Sequence, residues 1–404
     1  MKIMAINAGS SSLKFSLYNK EENKILVSGI FERIGNDNSS YTMNFDNKTV
    51  TKKLEILNHM QAVAVLLAKI CEFDIIDNYL DIDIVGNRIA HGGEKYKESV
   101  IITDEVIEDI DLYSSFAPLH NPSALKTIKA IKKVLPNAVL TATFDTAFHG
   151  SIPKVNYLYP VPYDWYLKHG VRKYGFHGIS YKYITEEMKK DLDKKSINLI
   201  ICHLGSGASV CCVKSNKSID TSMGFSPISG LMMGSRSGNI DPLIIPYVSN
   251  IENRSVSSIC DDLGNKSGFY GMLNGISDLR DIWQDADKND ENSLISLEMF
   301  HQRIVDFIAK YYNRLEGRVD GLVFTAGIGE NSYQSRNEII KRLKALGFSI
   351  DKRKNKTIDD GLISDNKSNI KIYIKPTNEE KVIIEDSIKL YEENKLNKNK
   401  VLTR

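Results

Sequence analysis

One pattern constrains this 404-residue chain more than any other: an apolar strand, a turn of glycine and serine, and a second strand, written twice. In the first copy, Ile3-Met4-Ala5-Ile6 is a short continuous apolar run, as a buried strand requires, and Gly9 with three serines forms the turn. Leu13, Phe15 and Leu17 then alternate with Lys14 and Ser16, the period of a half-buried strand. The second copy runs from Leu199 to Val210 through His203-Leu204-Gly205-Ser206-Gly207. A separation of about 200 residues implies a duplicated domain rather than a short-period repeat. Gly150-Ser151-Ile152-Pro153 reads as the hinge between the halves.

Composition narrows the class. Hydrophobic content of 42% and charged content of 26% are ordinary for a soluble globular protein. A net charge of +2 argues against nucleic acid or an acidic membrane as the main partner. The sequence has no apolar run of roughly 18 residues, hence no expected membrane span. The N-terminus enters a strand without a signal-peptide pattern. The five cysteines are odd in number and lack CxxC spacing, which fits a reduced, cytoplasmic protein without structural zinc, its cysteines acting as small buried apolar residues.

Several residues then stand where chemistry would need them. The amides of the Gly9–Ser12 turn form a nest for an anion and Lys14 adds a point charge; a polar surface hairpin is the alternative. Asn7 offers a metal, or its bound water, an amide oxygen. Arg88 lies in the apolar run before His91-Gly92-Gly93-Glu94, for bidentate anion recognition or an internal ion pair. His120 precedes a helix opened by Asn121-Pro122, where an anion is welcome, though a backbone partner would also satisfy it. The strand Val139 to Phe144 ends at Asp145, where open α/β sheets bind ligands, or where a carboxylate simply caps a turn. His177 precedes a helix with Ser180 as the expected N-cap, and Arg236 stands in a glycine-flanked loop, for a ligand or for solvent. The strand Gly321 to Thr325 runs into a loop, Ala326-Gly327-Ile328-Gly329-Glu330-Asn331, where a base or ribose can approach backbone. Leu294 to Tyr312 is an amphipathic core helix. Thr377 and Glu380 read as a capping box for the last helix, which leaves Glu379 free for function.

No glycine is followed by lysine, which excludes a P-loop, and no HRD or DFG set is present. Two related lobes and a glycine-rich loop suggest instead an ATP site between lobes. In the stretches INAGSSSLKFSL, RIAHGGE, APLHNP, FDTAFH, RKYGFHG, CHLGSGAS, DTSMGFSP, GSRSGNIDP, FTAGIGENS and PTNEE, ordered from Ile6 to Glu380, the chain resembles the acetate kinase family. The resemblance implies an α/β, actin-like (sugar-kinase-like) fold of two ribonuclease-H-like lobes, residues 1–150 and 151–380, with the helix from about 381 to 404 packing back on the first. It implies reversible transfer of the ATP γ-phosphoryl to acetate, giving acetyl phosphate and ADP, with Mg²⁺ or alternatively Mn²⁺, in a homodimer formed through the second lobe. Arg88 and Arg236 would hold the carboxylate and the migrating phosphoryl, His177 and His120 would donate to it, and Asp145 would orient the site. Asn7 and Glu379 would position Mg²⁺, and Lys14 with the turn Ser10 to Ser12 would contact phosphates. His203, Leu204, Gly205, Ser206 and Gly207, then Asp278, Leu279 and Arg280, then Gly327, Ile328, Gly329, Glu330 and Asn331 would contact the nucleotide. Ala90, Leu119, Phe176 and Pro227 would line the acyl pocket.

The chain departs from the family pattern at Ser206, Asn87, Ala90, Ile179 and Tyr181, which stand for asparagine, histidine, valine, threonine and histidine. Ala90 leaves room for roughly one more methylene, worth about 0.8 kcal/mol, so activity on propionate beside acetate is expected. A propionate or broad short-chain acyl kinase is therefore the near alternative. An actin-like ATP-binding protein without phosphotransfer is the remote one, but it would not need the set Arg88, His120, His177 and Arg236.

Overall fold

The computed structural model describes residues 1–118 and 120–402, with side chains through Asn397. Leu119, assigned above to the acyl pocket, lies outside the described residues. Two compact units divide between Phe148 and His149 and again between Thr377 and Asn378, so the first unit includes the last helix.

In the first unit, β1 (Lys2–Ala8), β2 (Ser12–Asn19), β3 (Lys24–Glu32), β4 (Ser40–Phe45), β5 (Lys48–Lys53), β6 (Ile82–Ile89), β7 (Val100–Ile101) and β8 (Val139–Phe144) form one sheet, ordered β5-β4-β3-β2-β1-β6-β8-β7. Strands β1 to β5 pair antiparallel, whereas β1, β6 and β8 run parallel. In the second unit, β9 (Leu199–Leu204), β10 (Ala208–Lys214), β11 (Lys217–Thr221), β12 (Gly321–Thr325), β13 (Gly361–Leu362) and β14 (Ile372–Ile374) are ordered β11-β10-β9-β12-β14-β13. The cores β3-β2-β1-β6-β8 and β11-β10-β9-β12-β14 are the same arrangement, an antiparallel meander whose first strand is followed by two parallel neighbours. The duplication seen in the sequence is thus a duplication of topology.

The parallel strands read as continuous apolar runs because both their faces are covered. Ile3, Met4, Ala5 and Ile6 are buried, as is all of β9 and β12. In β2 the period-2 pattern predicts Ser16 on a wet face, yet Ser16 is buried. The reason is the helix Glu379–Leu402: Ile383 and Ile384 pack on Ile3, Ala5 and Ile84, and Ser16 is the register partner of Ala5. Gly86 makes this docking possible, since a Cβ there would lie 2.5 Å from Ser387 Oγ and 2.6 Å from Ile383 Cγ2. Ser99 Oγ donates to Asp386 Oδ2 at 2.6 Å and Thr141 Oγ1 meets Ser387 Oγ at 2.6 Å, fixing the helix along the sheet.

That helix does not begin with the capping box read from the sequence. Asn378 Oδ1 accepts from the Lys381 amide at 3.0 Å, and Glu380 is drawn away to Lys14 Nζ at 2.8 Å. Thr377 belongs to the second unit, where its hydroxyl meets Ser180 Oγ. Ser180 in turn is not an N-cap: the helix starts earlier, at Gly178, and runs to Asp191. The predicted amphipathic helix spans Glu291–Arg314, capped by Asp290 Oδ1 from the Ser293 amide at 2.7 Å, with Leu297, Phe300, Ile304 and Ile308 in the core. Cys202, Cys211 and Cys212 are buried, Cys71 and Cys260 half-buried, and all five are free thiols.

One buried carboxylate ties β11 to that long helix. Asp220 is 0% exposed and meets Lys173 Nζ at 2.5 Å, Lys310 Nζ at 2.9 Å and Arg314 Nη2 at 3.3 Å. Burial alone would raise its pKa, but Lys173 and Lys310 outweigh burial and hold it below the ordinary carboxylate value. Burial, with the Lys310 and Arg314 charges added to it, also lowers the Lys173 ammonium, and Asp220 opposes this. Replacing Asp220 with Asn leaves those cations uncompensated and is expected to cost about 3 kcal/mol, read as a lower urea midpoint at pH 7. Because the native pKa is depressed, this stabilisation is present above the ordinary value of 3.8 and is lost as pH falls through the native value. The gap between wild type and Asp220→Asn therefore narrows on acidification; a constant gap would rule out the ion-pair origin.

Candidate active site

Each unit carries its own cluster of polar groups, and in each the cluster sits at the C-terminal ends of the core strands. In the first unit, β1, β6 and β8 lie side by side with Ile6 opposite Asn87 and Arg88 opposite Thr143. The residues at or just past their ends, Asn7, Arg88 and Asp145, are therefore neighbours. Arg88 Nη2 donates to Asp145 Oδ2 at 2.8 Å and Nη1 to Asn7 Oδ1 at 3.3 Å. The Asp145 amide donates to the Ile89 carbonyl at 2.8 Å, which pins the carboxylate's position. The ion-pair reading of Arg88 and the ligand reading are compatible, because Asp145 Oδ1 and Arg88 Nε are buried with no hydrogen-bond partner among the described residues.

Glu379 joins this cluster from the first turn of the last helix. Burial pushes its carboxyl above the ordinary value and the Asp145 charge adds to this, while Arg88 and Lys14 pull the other way. Burial would lower Arg88, but Asp145 and Glu379 more than offset it, so the guanidinium is held above its usual value. Two carboxylates share one arginine. Lys14 is exposed and paired with Glu380, and in the turn the Gly9 amide donates to the Ser12 carbonyl at 2.8 Å, with Ser10 exposed. His59, not singled out in the sequence, braces this turn through Nε2 and the Gly9 carbonyl at 2.8 Å. His120 is half-buried immediately before the helix Asn121–Val134, and Ala90 is buried in the same unit. Asn121 clamps the HGG segment, accepting from the His91 amide at 3.1 Å and donating to the His91 carbonyl at 3.0 Å. His91 Nδ1 accepts from the Gly93 amide, and burial lowers its pKa to about 3, so it is neutral.

The second unit gathers His177, His203, Ser209 and Arg236. His203, next to last in β9, lies opposite Ser209 on β10. The His177 and His203 rings stack with centroids 4.1 Å apart. His177 Nδ1 meets Ser209 Oγ at 2.8 Å, and His203 Nδ1 meets Ser180 Oγ at 2.8 Å. His177 holds φ = +61°, a left-handed conformation that costs a non-glycine residue of order 1 kcal/mol, and it turns the ring out of the helix that follows. A Cβ built on Gly207 would lie 3.3 Å from Arg236 Nη1 and 3.5 Å from His177 Nε2. Both donors therefore converge on one glycine of the HLGSG turn. Arg236 is half-buried, and burial alone lowers its pKa. Its guanidinium donates weakly to the Pro227 carbonyl at 3.4 Å and has no carboxylate partner among the described residues. Phe176 is buried in the core of this unit.

The remaining predicted contacts also lie in the second unit. The HLGSG turn closes through the Gly205 amide on the Gly207 carbonyl at 3.1 Å, leaves Ser206 exposed, and ties to Gly234, whose amide donates to the Ser206 carbonyl at 3.0 Å; Leu204 is buried. Asp278 caps the helix Leu279–Asp287, and Arg280, exposed, folds back onto Asp278 at 2.6 Å. The Gly327 to Asn331 segment is not a loop but a short helix, Ala326–Asn331, with Ala326 at φ = +65° and open space beside Gly327. Ile328 is half-buried and Gly329 buried. Glu330 Oε1 accepts from the amides of Ala326 at 2.7 Å and Thr377 at 3.1 Å, and Asn331 Nδ2 donates to the Gly327 carbonyl. Arg336, which sequence reasoning passed over, is 2% exposed and donates Nη1 to the Gly329 and Glu330 carbonyls, both at 2.8 Å. Its only signal is an arginine one turn into a helix after GIGENS, where a surface residue reads the same.

A twice-repeated meander with two parallel neighbours is the lobe of actin-like, sugar-kinase-like ATPases, and anion-binding donors at the strand ends place the chain among the phosphotransferases of that fold. Residues 2–385 match the model of the acetokinase family, and the chain belongs to that family. An acetate kinase of Phytoplasma australiense is 48% identical over 392 residues, covering 97% of this chain and 99% of the relative. One from Bacillus subtilis (strain 168) is 45% identical, covering 96% and 99%. Among solved structures, a propionate kinase from Francisella tularensis superimposes with a TM-score of 0.92 at 37% identity, and Porphyromonas gingivalis acetate kinase with 0.90 at 35%, each covering 96% of this chain and 99% of the neighbour.

Proposed function

We propose that the chain is an acetate kinase, which moves the ATP γ-phosphoryl reversibly to acetate by direct in-line transfer, giving acetyl phosphate and ADP. The observation that carries this reading is Arg236, a half-buried guanidinium with no carboxylate partner among the described residues, beside His177 Nε2 at Gly207. A desolvated cation needs an anion. A carboxylate oxygen is already a competent nucleophile, so the protein's task is to neutralise charge spread over the transferring group. Arg236 and His177 do this, with His120 as a second donor, and Arg88 holds the acetate carboxylate. Asp145 orients Arg88 through its Oδ2, in a direct transfer that forms no phosphoaspartate. The HLGSG turn, Asp278 to Arg280 and Gly327 to Asn331 hold the nucleotide, and Lys14 and the Ser10 to Ser12 turn contact its phosphates.

The donors fit Mg²⁺. Mg²⁺ takes one or two carboxylates and completes its shell with water and phosphate. Asn7 and Glu379 would hold it, beside the unpartnered buried Asp145 Oδ1. When bound, such an ion neutralises phosphate charge.

Acetate is favoured over propionate as the main substrate because the curated relatives at 45–48% identity carry the name acetate kinase, although the Francisella neighbour is a propionate kinase. The helix Ile244–Glu252 exposes Ile244, Tyr247 and Ile251 along one side beside Leu243, which supports a homodimer through the second lobe. No helix among the described residues is long and apolar enough to cross a membrane, and five free thiols fit a reducing cytoplasm.

Purified protein with acetate, ATP and Mg²⁺ is expected to form an acyl phosphate trapped by hydroxylamine; its absence overturns the reading. Arg236→Ala is expected to lower kcat by roughly 10³-fold while equilibrium ATP binding stays nearly unchanged. Parallel loss of ATP binding would move Arg236 to the nucleotide. Ala90→Val should raise the acetate-to-propionate ratio of kcat/KM about fourfold, the equivalent of one methylene. An unchanged ratio would place Ala90 away from the acyl group. Sedimentation is expected to give a dimer, and Tyr247→Glu a monomer.

A further inference from the structure

Tyr181 departs from the histidine of the family pattern, and its surroundings give it work. It is fully buried, its ring meets the His203 ring edge-on at 6.3 Å, and its hydroxyl forms a short hydrogen bond with Ser209 Oγ. The same Ser209 oxygen lies 2.8 Å from His177 Nδ1. Ser209 is 0% exposed and has a single proton to place between these two neighbours. A phenol is a stronger donor than an alkyl hydroxyl, and an imidazole nitrogen is a stronger acceptor than a phenolic oxygen. The chain therefore runs one way: Tyr181 O–H donates to Ser209 Oγ, and Ser209 O–H donates to His177 Nδ1, each bond strengthening the next. With Nδ1 accepting, the neutral ring carries its proton on Nε2, the nitrogen that faces Gly207 beside Arg236 Nη1.

We propose that Tyr181 is a positioning residue that acts through Ser209 to hold His177 as the Nε2–H tautomer, aimed at the anion the HLGSG turn receives. The consequence for phosphoryl transfer rests on the donor role given to His177 above; the tautomer itself does not. A hydroxyl relay gives this chain the same end, a protonated Nε2, without relying on a second imidazole whose own proton would have to be placed.

The test uses the full-length enzyme labelled with [15N]histidine, with the His177 signals identified by their loss in His177→Gln. Wild type is expected to show Nε2 protonated and Nδ1 bare. Tyr181→Phe, which removes one oxygen, is expected to mix the tautomers and to lower kcat about tenfold with KM for ATP unchanged, at the low end of the 10- to 100-fold lost when the partner that orients a metal-bound histidine is removed. Tyr181→His should restore most of the loss. Ser209→Ala breaks the relay in the middle and gives the same nitrogen signature should Tyr181→Phe fail to fold. A protonated Nδ1 in wild type, or an unchanged tautomer in folded Tyr181→Phe or Ser209→Ala, overturns the proposal. A shifted tautomer with unaltered kcat upholds the relay and overturns instead the donor role of His177.

Discussion

Taking an arginine out of water is costly unless something negative meets it, and two arginines of this chain, Arg88 and Arg236, answer that constraint in opposite ways. Arg88 is met from within the fold, by Asp145 at 2.8 Å and by the nearby charge of Glu379. Burial, with the Asp145 charge added to it, raises Glu379, and among the described residues one buried carboxylate oxygen, Asp145 Oδ1, has no hydrogen-bond partner. Among the described residues Arg236 is met only by uncharged acceptors, the Pro227 carbonyl at 3.4 Å and the Met233 sulfur at 4.0 Å. The first unit thus holds unspent negative charge, suited to a cation, and the second holds unspent positive charge, suited to an anion.

The fold makes this division by reusing one strand order. In the first unit, the parallel strands end in Asn7, Arg88 and Asp145; in the second, β9 ends at His203-Leu204 and β12 runs into the strained Ala326. The hairpins differ in the same way. Ala8 pairs with Leu13 across a four-residue turn of one glycine and three serines, whereas Leu204 pairs with Ala208 across three residues, two of them glycine. The shorter, barer turn brings side chains from outside the hairpin, Arg236 and His177, up to its backbone. A side chain at Gly207 would occupy the place where they meet.

Much of this is legible in the sequence because it is local. A buried parallel strand reads as an apolar run, a strand end as the polar residue that follows it, and a duplicated lobe as a motif met twice. Asp145, Arg88 and His203 were found that way. What escapes is what depends on a distant partner. Ser16 reads as solvent-facing because the helix that covers it lies more than 360 residues later. Glu380 fits a capping box until Lys14 competes for it, and Ser180 fits an N-cap until His203 does. Arg336 looks like a surface charge, and only the fold shows its guanidinium satisfying the carbonyls at the end of the GIGEN helix.

The strained residues follow the same logic. His177 at φ = +61° and Ala326 at φ = +65° are non-glycine residues in left-handed conformations at the starts of helices, and each carries a cost of order 1 kcal/mol. Such a cost persists only where surrounding contacts overdetermine it. At Ala326 the contact is Glu330, whose carboxylate takes both the Ala326 and the Thr377 amides and so joins the turn after β12 to the segment after β14. At His177 it is the ring stacked on His203 and bonded to Ser209. At His177 the holding groups lie on the adjacent strands β9 and β10, and at Ala326 they lie in the helix that follows β12 and in the segment after β14, so both arrangements depend on strand order. Relaxing either backbone would mean breaking bonds that the parallel core holds in register.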